Sequence, residues 1–114
     1  MDIQIIQTKI SQAELVRLAE SGFGNMIKGV ADIRQKIIAL GGELHADGER
    51  VLLDQGSRQS DVWGFNIYPA QSRDRRIEFF SLINIRPNQK NYSQEIKDPH
   101  IQETITKIVD SWVE

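Results

Sequence analysis

The sequence predicts an α+β fold, a mostly antiparallel sheet of about four to five strands with two or three helices packed on one face. Three observations carry this. Two runs, Val62 to Tyr68 and Arg76 to Arg86, alternate between apolar and polar or small residues and end at Pro69 and Pro87. The last stretch, from Asp98-Pro99 to Trp112, repeats its apolar residues at helical spacing, and the stretch after Ser11 carries a helix-capping pattern. With 114 residues the expectation is one domain over 1–114, within the usual domain size.

In order along the chain, the apolar Ile3 to Ile6 reads as a strand. Ser11 stands three residues before Glu14, a capping-box spacing, with Ile10 and Leu15 placed as a hydrophobic staple. Leu15, Leu18 and Ala19 form an apolar stripe and Gly22 is the expected stop, so a helix is predicted over 12–21. The segment 25–40 fits one helix or two strands around Arg34-Gln35-Lys36. Gly29 and the density of Ile and Val favour the hairpin.

Gly41-Gly42 breaks the pattern, and 47–55 is either a short helix capped by Asp47 or one arm of a hairpin turned at Asp47-Gly48. Gly56, at the position of a helix C′ residue, favours the helix. In the first central strand Trp63, Phe65 and Ile67 alternate with Gly64, Asn66 and Tyr68. In the second, Ile77, Phe79, Ile83 and Ile85 share a face, and the two pair across the 70–75 loop. Asp98 as N-cap and Pro99 at the first helical position open the final helix, whose apolar face is Ile101, Ile105, Ile108, Val109 and Trp112.

Composition excludes several function classes. The absence of cysteine removes disulfides, thiolate metal sites and a cysteine nucleophile. No apolar run exceeds four residues, so a membrane span is not expected. The opening MDIQIIQTK lacks a basic n-region and a long h-region, which gives a cytoplasmic expectation. A net charge of −2 argues against nucleic-acid partners. Ser57 to Lys97 nevertheless holds seven basic against four acidic residues, a local excess able to attract a small anionic or polar ligand. No P-loop, G-x-G-x-x-G or G-x-S-x-G motif is present.

Two constellations carry chemistry. Glu43, His45 and Asp47 alternate, so in an extended segment they share a face. His45 would be a general base or metal ligand oriented by Glu43 or Asp47, as in a small hydrolase. At about 3.3 Å per residue the two carboxylates stand too far apart to share one ion, so no metal site is assigned. The bland alternative has Asp47 capping the helix and His45 held by hydrogen bonds. The second constellation is a ligand-binding sheet face built from Asn66, Tyr68, Asn84 and Arg86, with Trp63 beside it and Asn91 in the following loop. Arg86 would be its anion-binding group. Its alternative is a buried network in which Asn84 and Arg86 pin the 88–97 loop through backbone bonds. Phe80 and Leu82 share the parity of this face and suit a covered patch or a homodimer contact, so a protein-interaction module is the third function class. Cofactors are unspecified by any motif.

The segments Gly41-Gly42-Glu43-Leu44-His45-Ala46-Asp47, Gln55-Gly56-Ser57, Trp63-Gly64-Phe65-Asn66-Ile67-Tyr68-Pro69 and Ile83-Asn84-Ile85-Arg86-Pro87, in this order, give the chain a resemblance to a known family. It resembles a family of short bacterial proteins, common in cyanobacteria, known as a domain of unknown function. The resemblance covers nearly the whole chain and implies a compact bacterial protein of one domain, with no activity or ligand attached. Gly48-Glu49 stands where members usually carry acidic residues, and Gly48 is a poor helix former.

Overall fold

The computed structural model describes residues 2–114. Among them are five strands, β1 (Ile3–Ile6), β2 (Ile27–Asp32), β3 (Ile37–Gly41), β4 (Val62–Ile67) and β5 (Ile77–Glu78), in one sheet of order β1-β3-β2-β4-β5. Every neighbouring pair is antiparallel. The helices are α1 (Gln12–Glu20), α2 (His45–Asp54) and α3 (Pro99–Trp112).

The end helices form as their local signals require. The Ser11 hydroxyl accepts from the Glu14 amide at 3.1 Å and Asp98 accepts from the His100 amide at 2.8 Å, each satisfying a donor with no partner inside the helix. The stop of α1 differs from expectation. Gly24, not Gly22, takes the left-handed conformation, at φ +98°, and its amide donates to the Ala19 carbonyl at 2.7 Å. Segment 25–40 is the hairpin of β2 and β3. Its turn is organised by Asp32, whose carboxylate accepts from the Arg34 and Gln35 amides, each at 2.9 Å, and from the Ser57 hydroxyl at 2.6 Å.

The sheet is covered on both faces, which corrects the expectation of helices on one. Leu15 and Ala19 of α1 and Ile105, Ile108 and Val109 of α3 pack on the face of Ile27, Ala31, Ile38, Leu40, Trp63, Phe65 and Ile67. Leu52 of α2 packs on the opposite face against Val30, Ala39 and Val62. The physical reason is that β2 and β3 carry apolar side chains at both parities, so each face has surface to remove from water. Gly48 sets how closely α2 approaches, because a Cβ there would lie 3.0 Å from Val30 Cγ2. A residue unfavourable to helix formation is thus required by packing.

The second correction concerns 76–86, read from sequence as one strand. Only Ile77 and Glu78 pair with β4, opposite Ile67 and Asn66. Beyond them Phe80 bridges to Glu95, and Leu82–Asn84 forms a 3₁₀ turn capped by the Ser81 hydroxyl. Ile77, Phe79, Ile83 and Ile85 therefore do not line one strand face. The outer edge of β4 beyond Asn66 is completed by side chains instead. The Gly64 amide donates to Asn84 Oδ1 at 2.8 Å, and Asn84 Nδ2 donates back to the Gly64 carbonyl at 3.0 Å. The carboxamide reproduces the paired donor and acceptor that a neighbouring strand would offer. The approach is close, since a Cβ on Gly64 would stand 2.6 Å from Ser81 Cβ.

Asn84→Ala leaves the Gly64 amide and carbonyl and the Gln94 carbonyl without this partner. It is expected to lower unfolding free energy by roughly 2–5 kcal/mol in urea titration, against about 0.5 or less for Leu82→Ala at an exposed site. Equal effects would contradict this role.

Candidate functional site

The antiparallel register sets Lys28 opposite Asn66 and Asn66 opposite Glu78. Three polar residues therefore lie in a row across β2, β4 and β5, on the face that α2 covers. The cover stops at the start of α2, and β5 ends at Glu78, so this corner of the sheet is left as a cleft of about 450 Å³. Lys28, His45, Asn66, Tyr68 and Glu78, together with Ser81 and Gln94, supply its polar lining, while Met26, Leu44, Ala46, Phe80 and Leu82 supply apolar walls. Leu44, Phe80 and Leu82 are 58%, 46% and 71% exposed, so three large apolar side chains meet water around one opening.

His45 opens α2 and turns its ring onto the sheet. Its Nε2 lies 2.8 Å from the Phe65 carbonyl, and because a carbonyl only accepts, Nε2 carries the proton. Burial, first, and the neighbouring Lys28 charge lower the pKa of the ring below the ordinary imidazole value. The Phe65 carbonyl, the Asn66 amide and the Glu78 charge oppose this without reversing it. The ring is neutral at pH 7, and its Nδ1 is an acceptor. Asn66 donates from Nδ2 to Glu78 Oε1 at 2.8 Å and to the Phe80 carbonyl at 3.2 Å, whereas its Oδ1 is buried with no hydrogen-bond partner among the described residues. The Tyr68 hydroxyl donates to Glu78 at 3.3 Å. Burial, then the Glu78 charge, raises the phenol above its ordinary range. Lys28 Nζ lies 5.4 Å from the centre of the Phe23 ring, within cation–π range.

Of the residues singled out from sequence, the structure brings together His45, Asn66 and Tyr68. Glu43 and Asp47 are exposed, and the hydrogen-bond partner of His45 is the Phe65 carbonyl instead of either carboxylate. The segment is helical from His45 on, so the alternation assumed for an extended 43–47 does not apply. Asp47 is not the cap. Leu44 holds that position with no side-chain bond, and Asp47 sits in the first turn, where its charge suits the helix dipole.

Asn84, Arg86, Asn91 and Trp63 lie outside the cleft lining. Asn91 Nδ2 donates to the Asn84 carbonyl at 2.7 Å and its Oδ1 accepts from the Lys97 amide at 3.0 Å, which fixes the loop that presents Asn84. Arg86 donates to the carbonyls of Gln59 at 2.5 Å, Ile83 at 3.0 Å and Val62, and pairs with Glu49 at 3.3 Å. Its guanidinium lies 4.6 Å from the centre of the buried Trp63 ring. These donors are engaged by protein atoms; Asn84 pins the 88–97 loop through the Gln94 carbonyl, while the backbone acceptors of the Arg86 side chain, Gln59, Val62 and Ile83, lie outside that loop. Sequence reasoning missed Lys28 as a lining residue. Its signal was a single cation in the mostly apolar segment from Met26 to Ala31, at the same parity as Val30 and Asp32.

Among the described residues no group of three or more His, Asp or Glu side chains is placed to hold a metal ion, and no helix is long and apolar enough to cross a membrane. Fold and cleft together define a small antiparallel α+β protein with an amphipathic opening at one corner of its sheet. The chain belongs to the family described as protein of unknown function DUF5674, which it matches over residues 4–112. No curated protein and no solved structure matches it.

The His45 ring is expected to titrate, by NMR of its Cε1 proton, with a midpoint below about 6.5. Below that pH the unfolded chain takes up a proton that the folded ring refuses, so His45 contributes a loss of stability as pH falls from about 6.5 towards the folded midpoint. A midpoint at or above the ordinary value would contradict the burial and the tautomer assigned here.

Proposed function

We propose that this chain is a binding module that takes a small polar ligand in the cleft between the start of α2 and the β2, β4 and β5 row. The observation that carries the reading is the buried, unpartnered Oδ1 of Asn66, a residue that lines a cleft walled by exposed Leu44, Phe80 and Leu82. Buried polar groups in folded proteins are nearly always paired, and concave, mostly apolar sites with a few fixed polar groups are where small molecules bind. The anion-binding role considered for Arg86 draws no support from a guanidinium engaged by three carbonyls and Glu49.

The same exposed apolar rim favours a second reading, a contact surface for a second copy of the chain. Light scattering on the eluting protein separates the two: a monomer at high concentration removes self-association, and a dimer abolished by Leu82→Arg supports it.

The ligand reading is tested by recording ¹H–¹⁵N spectra of the whole chain with a library of neutral, anionic and cationic fragments. Saturable shifts are expected at 26–28, 44–46, 66–68 and 78–82. Shifts confined to other surfaces, or none that saturate, would overturn it.

A further inference from the structure

We infer that the ligand enters with a neutral N–H donor, a primary carboxamide or an amino group on a conjugated ring, carried on an apolar body. This rests on reading the cleft as a binding site and adds what chemistry the cleft selects. The orientation of the Asn66 amide is fixed by its neighbours. Nδ2 faces the Glu78 carboxylate and the Phe80 carbonyl, both acceptors, and a flipped amide would set oxygen against oxygen. The group without a partner is therefore the oxygen, and it requires a donor.

The surrounding groups point the same way. His45 is committed through Nε2–H to Phe65, which leaves Nδ1 as an acceptor. The Tyr68 hydroxyl gives its proton to Glu78. The groups next to Asn66 thus offer acceptors, whereas Lys28, Ser81 and Gln94, also in the lining, can donate.

Charge narrows the class further. Lys28 and Glu78 flank Asn66 on adjacent strands, so the row bears one charge of each sign. The two charges offset, so a charged ligand gains no net attraction to repay the loss of its hydration, and a neutral donor has no such charge to desolvate. The apolar remainder of the ligand would lie against Leu44, Phe80 and Leu82. Asn66 Oδ1 is covered by protein atoms, so docking moves the side chains above it.

Three probes with the same phenyl body test this: benzamide, benzoate and benzylamine, each titrated into the ¹⁵N-labelled full chain. Benzamide is expected to shift the Asn66 side-chain NH₂ signals and the amides of Leu44, His45 and Leu82 saturably, about tenfold more tightly than either charged probe, since benzoate brings no donor to the oxygen and benzylamine must strip water from a full charge to reach it. Leu82→Arg, at an exposed position, is expected to keep the fold and weaken benzamide. Benzoate or benzylamine binding in the cleft as tightly as benzamide would overturn the neutral-donor class and leave the cleft reading standing. No saturable shift in the cleft with any of the three would overturn both.

Discussion

A single carboxamide stands in for a strand at the edge of this sheet. Asn84, fully buried, exchanges two hydrogen bonds with the backbone of Gly64 and reaches the Gln94 carbonyl with the same nitrogen. Without it, the outer edge of β4 would be a buried row of unpaired donors and acceptors. Asn91 supports the arrangement by holding the Asn84 carbonyl. Arg86 continues it by donating to the next outward carbonyl, that of Val62. Three polar side chains from one loop thus close an edge that backbone pairing leaves open.

That substitution makes the cleft. Because β5 pairs only with Asn66 and Ile67, the chain is free to turn away after Glu78 and place Phe80 and Leu82 at the rim. Had the strand continued in register, Phe80 would lie opposite Gly64 and the corner would be filled. On the other side, α2 begins at His45 and drops its imidazole onto the Phe65 carbonyl. The polar row is left between two structural decisions, an early strand end and a late helix start. Asn66 is the member of that row with a buried polar atom that has no hydrogen-bond partner among the described residues.

Much of the fold was legible in the chain. Ser11 with Glu14, and Asp98 with Pro99, mark helix starts through bonds between near neighbours, and such signals need no knowledge of the tertiary structure. The hairpin of β2 and β3 was legible through Gly29, whose missing Cβ makes room for the Phe65 ring. The end of β5 was not legible. Alternation over 76–86 is a strand pattern, and what overrides it is Asn84, which satisfies β4 across 20 residues of sequence. The covering of both faces was hidden for a related reason, since Gly48 reads as a helix breaker until Val30 is seen beneath it.

For the site, residue type identified His45, Asn66 and Tyr68 but misassigned their companions. Asn84 and Arg86 carry the same chemistry as a ligand-binding pair, and only the location of their partners shows that backbone carbonyls and Glu49 engage them. Lys28 and Glu78 became neighbours of Asn66 only through the pairing of three strands. Parity alone gives the face and not the register.

Hydrogen exchange at the Gly64 amide shows whether the Asn84 carboxamide takes the place of a strand. If Asn84 completes the β4 edge, that amide, which has no strand partner, exchanges as slowly as the amides of Phe65 and Ile67, by opening that follows global unfolding. Exchange at Gly64 as fast as at exposed loop amides such as Tyr92, with Phe65 still protected, would show that the side chain does not take the place of a strand.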